Sequence, residues 1–215
     1  MRASVIGGGS WGSAFARYLG SIGVPTLLWI REDDILAEAA AKRENTAFLP
    51  GFRFPENVGF SGDIRESAAF GEVVFIAVPS QFCRSVYLKI GSVLRRRQIV
   101  VSLTKGFDKR TLMRMSQVME EVFRPHVRPR LAVLSGPSFA KEVAAGHPTA
   151  VTVASHNADA ARKVQLAFST SRFRVYTSYD MTGVEMGGAI KNPLAIAAGM
   201  CAGLGLGYNA MAALI

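Results

Sequence analysis

The 215-residue sequence predicts an α/β protein, a doubly wound and mostly parallel sheet followed by the start of an all-helical segment. Three observations predict it. Short β-type runs alternate with helical stretches over the first two-thirds of the chain, which is the pattern of parallel βαβ units. The run 73–78 (VVFIAV) is apolar throughout, as a strand covered on both faces is. After Gly183 the pattern is helical and dotted with glycines.

Each element follows in order. Residues 3–6 form a short apolar run that ends in Gly7, Gly8 and Gly9. Residues 13–21 put Ala14, Phe15, Tyr18 and Leu19 on one helical face, and Gly20 and Gly23 close the helix. A second strand spans 25–30 and an alanine-rich helix 32–43. A loop with Pro50, Gly51 and Pro55 leads to a short strand near 58–60. Ser61 or Asp63 caps a helix over 63–70. The strand 73–78 stops at Pro79, and helix 81–94 follows. Strand 99–103 ends at Thr104-Lys105-Gly106, and a helix covers 111–123. Strand 131–134 ends in the small-residue turn Ser135-Gly136-Pro137-Ser138-Phe139-Ala140. Strand 150–154, helix 158–168 and a late strand 173–176 complete the alternation. A boundary near 180–183 divides a sheet domain, 1–182, from the first helices of a second, 183–215. Ligands of such sheets bind at the carboxyl ends of the strands. The turns 7–12, 79–80, 105–106 and 136–138, with Arg31, are therefore expected to line one crevice.

Composition narrows the function. Apolar residues make up 49% and charged residues 19%, which excludes a disordered chain. The net charge of +9 raises the question of an anionic partner. That charge is regional: 84–130 carries 12 basic and 3 acidic residues, and the rest balances. The segment has only Tyr87, Phe107 and Phe123 as aromatics, without the stacking rhythm of a nucleic-acid binder, so it reads as a solvated basic face with no nucleic-acid partner. Cys83 and Cys201 make no disulfide framework, and His126, His147 and His156 are too scattered for a metal site. The apolar run at the N-terminus is too short for a signal peptide, and a reducing, cytoplasmic setting is expected. Residues 192–215 carry no charge and are long enough to span a bilayer. Asn192, Pro193, Tyr208, Asn209 and four glycines argue against stable membrane insertion, so a buried helix or two short ones is expected. The chain stops uncapped within a helical pattern and reads as cut short.

The motifs carry chemistry. Gly7-Gly8-Gly9-Ser10-Trp11-Gly12 fits G-x-G-x-x-G between a strand and a helix, the fingerprint of a Rossmann-type dinucleotide site. Gly7 allows the tight turn, Gly9 the approach of a pyrophosphate and Gly12 close packing of helix on strand. The pyrophosphate meets the free N–H groups at the helix start. Arg31 is the first charged residue after the second strand. It suits a 2′-phosphate, with Glu32 and Asp33 behind it, so NAD and NADP both stay open, as does a plain surface role. Lys105 stands at a strand end that faces the crevice, where its point charge suits a ligand oxygen. Lys191 lies in an otherwise uncharged stretch, 186–215. If buried there, its pKa falls toward that of a general acid/base; the alternative is a lysine reaching out to water. Asn192 and Glu185 are the nearest candidates to orient it.

Together these segments resemble the bacterial NAD(P)-dependent glycerol-3-phosphate dehydrogenases. The matching segments are GGGSWG at 7–12, LWIR at 28–31, NTAFLPG at 45–51, AVPSQ at 77–81 and LTKGF at 103–107. LSGPSFAKEVAAGHPTA at 134–150 and GGAIKNPLAIAAGMCAGLGLGYNAMAALI at 187–215 are the most specific. The resemblance implies hydride transfer between NAD(P)H and a phosphorylated small molecule, interconverting dihydroxyacetone phosphate and sn-glycerol 3-phosphate for phospholipid synthesis. It implies Lys191 as the acid/base, Lys105 touching both substrate and cofactor, Gly136 and Ser138 touching substrate, and Ser10, Trp11, Arg31 and Ala140 touching cofactor. It also implies a longer helical domain carrying an aspartate and a Ser-Arg-Asn segment that grip the substrate. This 215-residue chain has neither, and is expected to bind dinucleotide but turn over poorly. A related 2-hydroxyacid-type dehydrogenase and a non-enzymatic dinucleotide module are the alternatives. A homodimer stays open.

Overall fold

Alternate residues of the central strands face opposite sides of one sheet, so both sides need cover. The computed structural model describes residues 1–126 and 128–214. Its eight strands are β1 (Ala3–Ile6), β2 (Thr26–Trp29), β3 (Val58–Ser61), β4 (Val73–Ile76), β5 (Ile99–Ser102), β6 (Arg130–Ser135), β7 (Thr149–Ala154) and β8 (Phe173–Ser178). They lie in the order β3-β2-β1-β4-β5-β6-β7-β8. The first six are parallel. β7 turns back against β6, pairing Val133 with Ala154, and β8 runs parallel to β7. The expected mostly parallel, doubly wound sheet is therefore present.

The two covers follow from period-2 alternation. Val73 and Phe75 enter one apolar layer, and Val74 and Ile76 enter the other. On the first side lie α1 (Ser10–Ser21), α6 (Ala140–Ala145) and α7 (Ala158–Phe168), with Ala39 of α2 (Asp33–Lys42). Phe75 packs edge-on to Phe15 at 4.7 Å and to Phe168 at 5.2 Å, which ties both flanking helices to the central strand. On the second side lie α3 (Ile64–Phe70), α4 (Ser80–Ile90), α5 (Met115–Phe123) and Met181. Asp63 caps α3, accepting from the amides of Arg65 and Glu66 at 2.8 and 3.2 Å.

The structure departs from the sequence expectations in five places, one of them the end of α4, which stops at Ile90 with Gly91 as its C-cap rather than at 94. α1 starts at Ser10 rather than 13, because Gly9 is its N-cap. α5 starts at Met115 rather than 111, because Leu112 takes a left-handed φ of 57° and Phe107 pairs with Arg114 in an isolated bridge. The segment after Ser138 holds a short helix, α6, that was not expected. Finally, 192–215 is not core: α8 (Met181–Gly203) and α9 (Tyr208–Leu214) bury only Met181, and Ile196, Met200, Leu204 and Tyr208 are exposed. The first turns of α8 reach the sheet, and further along the helix half-buried positions such as Leu194 and Ala198 alternate with exposed ones. Among the described residues, no helix is long and apolar enough to cross a membrane.

Candidate active site

The glycine loop is rigid because the backbone fills the space where side chains would sit. Gly7 has φ of 127°, and a Cβ at Gly12 would overlap the carbonyl oxygen of Gly7. Gly9 has open space in front of it. No side chain caps α1, so the amides of its first turn are free to meet an anion.

A residue with no assigned role in the sequence reading braces this loop. Asn45 is fully buried, and its amide donates to the Gly8 carbonyl at 2.7 Å and to Ser13 Oγ at 2.9 Å. Ser13 Oγ donates to the same carbonyl at 3.1 Å, and the Phe48 amide donates to Asn45 Oδ1 at 3.1 Å. The NTAFLPG segment therefore supports the loop from beneath.

In front of the loop is a cavity of about 300 Å³. Gly7, Gly8, Gly9 and Arg31 line it, with Phe82 and Lys89 from α4. The Arg31 guanidinium donates to Glu32 Oε1 at 2.9 and 2.5 Å and lies 5.8 Å over the Phe82 ring. Phe82 and Lys89 were missed in the sequence. Their signal is one face of the helix that follows the Pro79 turn, at i and i+7. The residues fit a dinucleotide: a glycine cradle, free helix amides and a cation beside an aromatic wall.

A second cavity, also about 300 Å³, opens at the ends of β5 and β6. Lys105, Ser135, Gly136, Gly188 and Lys191 line it, and no carboxylate does. Lys105 Nζ lies 5.9 Å over the Trp11 ring, so this lysine links the glycine loop to the second cavity. Burial pushes the Lys105 ammonium below the usual lysine range, and the positive charge of Lys191 adds to the effect. Lys191 falls between the two placements left open for it, fully buried or reaching out to water. It is half-buried, with Nζ 4.5 Å over the Phe139 ring. The Glu185 carboxylate bonds not to Lys191 but to Arg114 at 2.7 Å and to Ser116. Asn192 is exposed.

The structure thus brings Lys105, Gly136 and Lys191 together. Ser138 and Ala140 stand just outside the cavity lining: Ser138 Oγ donates to the Gly136 carbonyl at 3.1 Å, and Ala140 opens α6 and packs near Ala14 and Leu49. Ser10 is exposed at the start of α1, and Trp11 is half-buried.

With this geometry in place, comparison with known proteins decides the family. Residues 2–161 match the model of the NAD-dependent glycerol-3-phosphate dehydrogenase N-terminus, and residues 180–215 match that of its C-terminus. The chain belongs to this family. It is 46% identical over 215 residues to a glycerol-3-phosphate dehydrogenase (NAD(P)+) of Koribacter versatilis, and 46% identical over 214 residues to one of Geobacter metallireducens. In both cases it covers 64% of the relative's length. The crystal structure of glycerol-3-phosphate dehydrogenase from Coxiella burnetii superposes with a TM-score of 0.89 at 37% identity, over 99% of this chain and 64% of that one. A pyrroline-5-carboxylate reductase from the same organism, 15% identical with a TM-score of 0.63, shares the fold alone.

Proposed function

We propose that these residues form the dinucleotide-binding part, 1–182, and the first catalytic helix, within 183–215, of an enzyme that interconverts dihydroxyacetone phosphate and sn-glycerol 3-phosphate with NAD or NADP. The observation that carries this reading is the convergence of Lys105 and Lys191 on a cavity with no lining carboxylate, directly beside the glycine loop. Two ammonium groups without a counter-charge favour an anionic ligand there. The nicotinamide, when bound, supplies or takes the hydride at C2 of the substrate.

The chain's own residues do the rest. The amides at the start of α1 and the cradle of Gly7 and Gly9 hold the pyrophosphate, with Ser10 and Trp11 at its flank. Arg31 faces the adenosine end. Lys105 lines the second cavity and lies over Trp11 of the glycine loop, so one charge orients substrate against cofactor. Gly136, with Ser138 on its carbonyl, shapes the wall for the substrate, and Ala140 adjoins the cofactor side through the layer it shares with Trp11. Lys191 holds the proton that the C2 oxygen gains on reduction and takes it back on oxidation. The expected setting is cytoplasmic, with the product entering glycerophospholipid synthesis.

Fluorescence titration of the 215-residue polypeptide with NADH and NADPH tests the reading. Binding of at least one, with little turnover, is expected. Absence of both overturns the site, and robust turnover overturns the expectation that this chain is catalytically incomplete.

A further inference from the structure

Glu185 is a buried carboxylate that the proposed chemistry does not use. Its side chain is 7% exposed. It accepts three bonds from the start of α5: Arg114 Nη1 at 2.7 Å, the Ser116 amide at 2.8 Å and Ser116 Oγ at 2.6 Å. The first turn of α5 has no acidic residue of its own. A carboxylate 69 residues further along the chain fills that place, opposite the positive end of the helix dipole.

One turn later, α8 touches the sheet. A Cβ at Gly188 would come 2.6 Å from Ser135 Oγ, which would have to turn away, and 3.6 Å from Lys105 Cγ, so the α8 backbone lies close against this strand end. Beyond this point α8 turns exposed faces to solvent, including Ile196 and Met200. Lys191 follows Glu185 by six residues, about 9 Å along the axis. With Glu185 held at one end and Gly188 seated against Ser135, the rise and rotation of the helix set where the Lys191 backbone stands beside the cavity.

We propose that Glu185 is a positioning residue. By bridging α5 to α8 it fixes the register of α8 on the sheet, and through it the place of Lys191. This rests on the reading of Lys191 as the proton-handling lysine, but its test does not need turnover. The test is limited trypsin digestion of the 215-residue polypeptide. Cleavage after Lys191 is followed by mass spectrometry, cleavage after the exposed Arg96 and Lys42 is the reference, and NADH binding is measured in parallel.

Glu185→Ala is expected to speed cleavage after Lys191 about tenfold by freeing α8 locally. The reference rates and the NADH affinity should stay within about twofold, since α8 does not line the first cavity. Glu185→Gln keeps an acceptor for the Ser116 amide but loses the charge facing Arg114, and should accelerate the same bond by about threefold. Unchanged cleavage after Lys191 in both variants overturns the proposal. Equal acceleration at all sites also overturns it, because that marks a general structural role. If the alanine variant fails to fold, the glutamine variant decides by the same selectivity. Failure of the unsubstituted chain to bind NADH counts against the dinucleotide site and leaves the digestion result standing.

Discussion

The two sides of the crevice are held in different ways. The glycine loop rests on a closed core, with Phe15 and Phe75 beneath it and a buried Asn45 bonded to its backbone. α8, which carries Lys191, is held by one carboxylate bridge, one close backbone approach and the single buried side chain Met181. The glycine-loop side is preformed by packing, whereas the side that carries Lys191 depends on a few polar contacts. Binding and proton transfer should therefore respond to different substitutions.

The largest test of that contrast truncates one apolar side chain on each side. Phe75→Ala removes a ring that is 0% exposed and joins α1 to α7 through two aromatic contacts. It should cost about 3–5 kcal/mol of unfolding free energy. Ile196→Ala on α8 removes a side chain that is 61% exposed, and should change stability by less than about 0.5 kcal/mol. Urea denaturation of both variants checks this. A comparable loss in the two would mean that α8 is packed as tightly as the sheet.

Asn45→Ala comes next. It withdraws a buried donor from the Gly8 carbonyl and from Ser13 Oγ, leaving that carbonyl with the single Ser13 bond. A loss of about 1–3 kcal/mol is expected, with several-fold weaker NADH binding as the loop loosens. An unchanged NADH affinity would show that glycine packing alone sets the loop.

How far these features are legible in the sequence depends on their range. The strand–glycine–helix unit at 3–21 is local: three glycines, an apolar run and a helical face lie within one window, and the structure has all three. Lys105 and Lys191 were singled out because each is a lone charge, one at a strand end and one in an apolar stretch, and both reach one cavity. Asn45 was assigned no role, and Glu185 was named only as a neighbour of Lys191, without its partners on α5. Each acts on a partner 32 or more residues away in sequence, and no local pattern marks such a contact. α6 escaped because its six residues are too few for a helical period to show beside a turn rich in Gly, Pro and Ser. The burial expected for 192–215 failed because an uncharged stretch reports apolarity, not what covers it.

The second cavity should respond to pH in a defined direction. The Lys105 pKa lies below its ordinary 10.5, mainly through burial. Its charged form, which attracts a phosphate, is full below the lowered pKa and is lost as pH rises through it. Affinity for glycerol 3-phosphate, followed by phosphorus NMR, should therefore begin to fall at a lower pH than a solvent-exposed lysine would give, by up to about tenfold per pH unit. Lys105→Gln should weaken binding at neutral pH and flatten that fall. A profile unaltered by the substitution would move the anion contact to Lys191.

The smallest expected effect concerns the choice of cofactor, on the preformed side. Arg31 lines the first cavity but is already bonded to Glu32, and its side chain is 64% exposed. A 2′-phosphate must compete with that carboxylate for the guanidinium. Glu32→Gln removes the competitor and the nearby negative charge, so NADPH should gain over NADH. Because the pair faces solvent, the gain is limited to about 1 kcal/mol, or roughly fivefold in the ratio of dissociation constants. Arg31→Ala should move the ratio the other way while leaving NADH binding nearly unchanged. Parallel titrations with the two dinucleotides read both directions. If Glu32→Gln shifts NADH and NADPH equally, Glu32 acts on the adenosine site as a whole, and discrimination falls to Lys89, the other cation lining the cavity.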